Sequence, residues 1–252
     1  MSRNSTENIK KNGLTTQKIQ YWVTPPEADE EFVACMEEML EIYHRPPDPE
    51  NPVVAMDEQP IQLLKETRDI IPARPSENSH RGHPERIDYE YERNGTASVF
   101  LFVAPFENWR RVSVREHRKK RDWAEEIEWL VMHRFRNAKK VTIILDNLNT
   151  HTKGALYTRF LPEYCREILR RCEFIYTPIH GSWLNIAESE LSVLTRQCLC
   201  GRIGSLEEVR KQVAAWTAWR NDHSKGVNWQ FTTDDARVKL NSIYPLFLFD
   251  NK

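Results

Sequence analysis

The stretch from Val141 to His151, VTIILDNLNTH, restricts the possible fold more than any other. It opens with five consecutive apolar or β-branched residues, Val141 to Leu145. That run is too short for a free-standing helix and predicts a strand covered on both faces. A polar turn from Asp146 to His151 follows at once and ends in residues that can cap a helix. Open α/β sheets carry their chemistry just beyond the carboxyl ends of their strands, so Asp146 stands where a functional carboxylate belongs. On the segment alone, Asp146 as a plain turn or cap residue is an equal reading.

The rest of the chain sets this strand in a globular protein. Of the 252 residues 40% are hydrophobic and eight are Trp, enough for a substantial core. No run has the apolar length of a membrane span, and MSRNSTENIKKNG lacks the apolar centre of a signal peptide. The five Cys include no CxxC pair and read as reduced thiols, which with the missing signal predicts a cytoplasmic protein without a membrane partner. Net charge is −1, but residues 27–50 hold nine acidic residues against one Arg, leaving +7 for the remainder. Much of it lies in Arg110, Arg111, Arg115, Arg118, Lys119, Lys120 and Arg121, opposed locally by Glu116 alone. Such a stripe is either an ordinary solvated face or a contact to phosphate backbone.

Taken in order, residues 1–26 are polar and end in Pro25-Pro26. Glu30 to Tyr43 has helical apolar spacing on an acidic background, and a Pro-rich connector runs to residue 52. Val53 to Met56 predicts a short buried strand closed by Asp57-Glu58, and Ile61 to Ile87 reads mostly as loop. Ala97–Val103 and Trp109–Val114 predict an antiparallel pair across a Pro105–Asn108 turn. A helix from Asp122, the strand 141–145, helical segments within 153–171 broken at Pro162, and a strand over Glu173–Thr177 follow. Ser182 is expected to cap a helix carrying Glu188 and Glu190, Ser205 with Glu208 to box the next, and Thr233 with Asp234-Asp235 to start a last short one. This order predicts an α/β mixed sheet flanked by helices. If the two Asp-tipped strands are neighbours, Asp57, Asp146 and a glutamate of the following helix meet at one edge.

Clustered carboxylates repel and need neutralising, and hard oxygen ligands suit Mg²⁺ or Mn²⁺. Two such ions can serve phosphoryl transfer. Strand-end carboxylates are also common without any metal.

Three segments carry a family resemblance: MDEQP at 56–60, LDNLNTHT at 145–152 and TPIHGSWLNIAESELSVL at 177–194. Together they resemble a DDE transposase, specifically the IS-six-thirty insertion-sequence branch of the mariner-like superfamily. The likeness extends over about residues 20–245. It implies a ribonuclease-H-like catalytic domain, a catalytic and metal-binding triad of Asp57, Asp146 and Glu188, and two Mg²⁺ or Mn²⁺ ions. Glu188 is taken because it stands three residues after Asn185; helix angles leave Glu190 equally placed, and it is the reserve. Asn147, His151 and Asn185 are the expected supporting groups, and the 110–121 cations the expected DNA contacts. His180 and Ser182 stand at the mouth, while Trp109 and Trp183 read as core or interface.

The resemblance also implies cleavage at transposon ends, integration at TA dinucleotides in DNA recombination, and a homo-oligomer assembled on DNA. In domain terms, 1–26 reads as the tail of a DNA-binding region or a linker. The acidic helix and connector occupy 27–52, the catalytic domain 53–245, and a C-terminal tail 246–252. The helix-turn-helix region of complete family members is largely missing ahead of residue 27. Other readings are a different ribonuclease-H-like nuclease, or an idle remnant that only binds DNA or oligomerises.

Overall fold

The structure, a computed structural model, describes residues 29–76, 82–224 and 226–244. The expected tails at 1–26 and 246–252 lie outside these residues. No described helix is long and apolar enough to cross a membrane.

Five strands form one mixed sheet: β1 (Val53–Glu66), β2 (Tyr91–Ala104), β3 (Trp109–Arg115), β4 (Val141–Leu145) and β5 (Cys172–Tyr176). Their spatial order is β3-β2-β1-β4-β5. The β1–β2 and β2–β3 pairs are antiparallel, and β1–β4 and β4–β5 are parallel. All five residues of β4 are buried, as a strand with neighbours on both edges and helices on both faces requires.

One correction concerns β1, which does not stop at Met56. It continues to Glu66, paired with β2 from Ala55 onward with one irregularity between Gln62 and Leu64, so residues 61–66 are strand rather than loop and Asp57 is an internal residue. Pro60 is accommodated within the strand. It lies beyond the last β1–β4 pair, Ala55↔Ile144, where β1 has lost its neighbour on that side and a missing N–H is tolerated. The first six residues of β2 are exposed and its last eight buried, so the far half of the β1–β2 ribbon projects from the body.

Helices cover both faces. On one side α1 (Glu30–His44), α5 (Ile186–Gln197), α6 (Leu206–His223) and α7 (Thr233–Lys239) enclose Met36, Leu40, Val53, Ala55, Leu101 and Leu194. On the other, α2 (Lys120–Glu128), its π-helical continuation Trp129–Arg134, α3 (Lys153–Leu156) and α4 (Pro162–Arg170) enclose Val54, Met56, Phe102, Trp123 and Ile143. Each such side chain contributes about 1.5–3 kcal/mol by leaving water. That pins the register of β1, because a one-residue slip would exchange the two faces.

The helix ends follow local chemistry, with three departures from expectation, and the last helix starts at Thr233 as expected. Helix α2 starts two residues early, and Asp122 accepts from the Lys119 N–H at 2.7 Å. Asn185 rather than Ser182 caps α5, because Ser182–Leu184 forms a separate 3-10 turn. Ser205 caps α6, but the Glu208 side chain accepts from Gln212 at 3.2 Å instead of closing the box. Thr232 caps α7 and completes a box with Asp235.

Candidate active site

The site is set by strand register. Ala55 of β1 lies opposite Ile144 of β4 in a parallel pair, so Asp57 and Asp146, each two residues further on, emerge level on adjacent strands. Helix α5 is brought to the same edge by its own cap. Asn185 Oδ1 accepts from the Ala187 N–H at 3.1 Å, while its Nδ2 donates to the Met56 carbonyl at 2.9 Å. Glu188 follows in the first turn of α5, where the helix dipole favours a negative charge. Asn185 therefore ties the helix to β1 beside Asp57; it does not reach the Glu188 carboxylate by these bonds, as had been expected of it.

The carboxylates feel one another. Burial pushes the Asp57 carboxyl up to about 7, and the charges of Asp146 and Glu188 add to the rise, against a bond from the Glu58 N–H. Among the described residues no salt bridge reaches Asp57 or Glu188, and Asp146 pairs only with His151. This convergence of hard oxygen donors, of which only Asp146 has a cationic partner among the described residues, fits a divalent cation. Among the described residues, however, no three His, Cys, Asp or Glu side chains stand close enough to close around an ion as they lie.

His151 is wholly buried, stacked on Trp123 at 5.7 Å, with Nδ1 2.6 Å from Asp146 Oδ1. Its other nitrogen, Nε2, lies 3.6 Å from Glu58 Oε2, within ion-pair range but beyond hydrogen-bond length. Burial alone would lower the imidazole pKa; Asp146 and Glu58 more than offset it and push it up to about 9. The sequence reading of His151 as a group orienting Asp146 thus has a direct bond behind it. Asn147 acts elsewhere: its Nδ2 donates to the Thr177 carbonyl at 2.5 Å and ties the tips of β4 and β5 together. The link from β5 to α5 is tight, since a Cβ on Gly181 would lie 2.5 Å from Pro178 Cγ. His180 there is exposed, with φ 63°.

Glu190 is not at the site. It is buried on the opposite flank of α5, bonded to Arg110 Nε at 2.7 Å and Arg220 Nε at 2.7 Å. The same bonds correct the basic stripe. Arg110 is 3% exposed and fills a core ion pair, so it cannot lie against DNA. Arg111 and Arg115 are held by Glu126, and Arg115 also by Glu125 at 2.6 Å. Arg118, Lys119, Lys120 and Arg121 remain exposed. Arg118 Nη1 lies 3.7 Å from Glu58 Oε1, which sets this cationic end beside the carboxylate edge. Trp109 stacks on Trp129 and Trp183 meets Phe231 edge-on, both as structural residues. Glu58 was not singled out in the sequence. Its signal was the Asp57-Glu58 pair itself, since neighbouring residues of a strand face opposite sides.

Comparison with solved structures shows that this mixed sheet with its flanking helices has the ribonuclease-H-like fold. The catalytic domain of Mos1 mariner transposase aligns over 90% of this chain and 98% of its own, at a TM-score of 0.53 and 13% identity. A Mos1 strand transfer complex aligns at 0.58 and 17%, over 98% of this chain and 71% of that one. A Mos1 paired-end complex with Mn aligns at 0.55 and 17%, over 96% and 71%. No curated protein matches the chain in sequence. A family model described as DDE superfamily endonuclease matches residues 71–210, more than half of the chain. The chain belongs to the DDE superfamily endonuclease family. The matched stretch takes in Asp146 and Glu188 and begins after Asp57.

Proposed function

We propose that this chain is the catalytic domain of a transposase of the IS-six-thirty branch, cutting DNA at transposon ends and joining the freed 3′-hydroxyl to TA target sites. The observation that carries the reading is the level placement of Asp57 and Asp146, with Glu188 near enough to raise the Asp57 carboxyl. Asp57, Asp146 and Glu188 would hold two Mg²⁺ or Mn²⁺ ions. Mos1 paired-end complexes with Mn and with Mg support a divalent ion in this fold. When bound, the ions would activate the attacking oxygen and stabilise the leaving one in an in-line displacement.

The chain's own contribution is positional. His151 fixes the Asp146 carboxylate, Asn185 fixes the start of α5 against β1, and Asn147 locks the β4 and β5 tips. Holding reacting groups in one geometry accounts for much of what such a site can supply, because little covalent chemistry falls to the protein. Arg118, Lys119, Lys120 and Arg121 would meet phosphate oxygens, giving affinity without base readout. The protein works in the cytoplasm as a homo-oligomer on DNA.

The test is nicking of supercoiled plasmid in Mg²⁺ or Mn²⁺ by the wild-type chain and by Asp146→Asn. Slow, sequence-blind nicking that vanishes in the folded variant is the expected result. Equal nicking by both would return the chain to a DNA-binding or oligomerising remnant.

A further inference from the structure

Three buried glutamates stand out in the described residues: Glu126, Glu190 and Glu58. Glu126 is met by Arg111 and Arg115, and Glu190 by Arg110 and Arg220. Glu58 differs. Its side chain is 1% exposed, and both carboxylate oxygens are buried without a hydrogen-bond partner. It sits opposite Phe100 on β2, on the same face of β1 as Met56. A buried carboxylate without hydrogen bonds costs several kcal/mol, and a packed apolar residue of similar volume would commonly be neutral or stabilising in its place. Stability therefore gives no account of Glu58.

Its surroundings do. The nearest cationic groups are Arg118 Nη1 at 3.7 Å and His151 Nε2 at 3.6 Å. His151 is a rigid ring whose other nitrogen is 2.6 Å from Asp146 Oδ1. Trp123 stacks on one side of the ring, and the Tyr176 hydroxyl donates to the His151 carbonyl at 2.9 Å, which anchors the backbone beneath it. Stacking fixes the plane of the ring but not a half-turn about Cβ–Cγ, which would exchange Nδ1 for Cδ2 and Nε2 for Cε1; a carboxylate facing Nε2 opposes that turn and keeps Nδ1 toward Asp146. Asp146 itself is 35% exposed at the rim, and His151 Nδ1 at 2.6 Å is a closer partner of its carboxylate than the Leu148 N–H at 3.4 Å.

We propose that Glu58 is a positioning residue that aims the Asp146 carboxylate through His151. The proposal rests on the reading of Asp146 as a metal ligand. On that reading β1 serves the site twice: Asp57 supplies oxygen from one face, and Glu58 braces the second ligand from the other. Groups that orient metal ligands at one remove commonly change affinity by about 10–100-fold when lost.

The experiment titrates the whole chain with Mn²⁺ and follows the free-ion signal by electron paramagnetic resonance. Wild type, Glu58→Gln, Glu58→Asp and Asp146→Asn are compared, with circular dichroism to verify folding. Glu58→Gln keeps shape and removes charge; Glu58→Asp keeps charge and withdraws it by one methylene. Both are expected to weaken Mn²⁺ binding by about tenfold or more. The His151 ring ¹⁵N resonances should move in both, a signature that simple loss of packing would not give. Wild-type Mn²⁺ affinity in a folded Glu58 variant, beside its loss in Asp146→Asn, would overturn the proposal and leave the metal site standing. Absence of Mn²⁺ binding by the wild type would overturn the metal reading, and this proposal with it. Failure of both Glu58 variants to fold would also overturn it, since Glu58 would then be a structural requirement.

Discussion

Glu188 and Glu190 lie two residues apart on one helix, and the structure gives them opposite kinds of work. Glu190 is 7% exposed and its two oxygens meet Arg110, whose side chain is 2% exposed, and Arg220. Glu190→Gln keeps the shape of the side chain but removes the one charge that both guanidiniums share. Breaking a buried pair costs about 3–5 kcal/mol. Arg110 also donates to Asn108 Oδ1 at 3.1 Å, so the lower end, about 3 kcal/mol, is expected. For a domain of this size that lowers the melting temperature by roughly 6–12 °C. Glu188→Gln removes an exposed charge that repels Asp57 and should leave the melting temperature within about 2 °C or raise it. Its effect belongs to Mn²⁺ binding and nicking. Paired thermal melts and nicking assays separate the two. A stable Glu190→Gln, or a Glu188→Gln that melts early yet cuts DNA, would refute the assignment of the third acidic residue.

Other consequences can be checked independently. Asp57 has a carboxyl raised to about 7, so it binds its proton more tightly folded than unfolded; that contribution is complete at acid pH and is lost as pH rises through 7. In EDTA, Asp57→Asn should therefore gain more stability over wild type at pH 8 than at pH 5, read from urea midpoints; an equal gain at both would contradict the raised carboxyl. Replacing Arg118, Lys119 and Lys120 with Ala should weaken DNA binding alike for all sequences and flatten its salt dependence by up to about three charges, whereas Arg110→Met should act through stability. An unchanged salt slope would return the exposed cations to ordinary surface.

What could be read from the chain in advance follows from how local each signal was. VTIIL announces a buried strand within its own five residues, and the structure has β4 at Val141–Leu145. Asp57 was misplaced to a strand end because the apolar run that marks the strand stops at Met56, while the pairing that carries β1 on to Glu66 comes from β2, far along the chain. Helix geometry alone could not choose between Glu188 and Glu190, since the two flank the apolar face of α5 symmetrically and the deciding partners, Arg110 and Arg220, lie 80 and 30 residues away; the spacing from Asn185 in the family resemblance favoured Glu188. The basic stripe misled for the same reason: Glu125, Glu126 and Glu190 reach its first members from other helices. Glu58 stayed hidden because the cationic groups that face it among the described residues come from the β4–α3 loop and the α2 approach.

The central claim is that Asp57, Asp146 and Glu188 form one divalent-cation site, and a thermal melt with and without Mn²⁺ tests it without any DNA. Binding to the folded chain at 100 times the dissociation constant adds about 2.7 kcal/mol, which for this size raises the midpoint by roughly 5–11 °C. The expected result is that rise in the wild type and its loss in Asp57→Asn, Asp146→Asn and Glu188→Gln alike. A wild type indifferent to Mn²⁺, or three variants that rise as far as the wild type does, would contradict it.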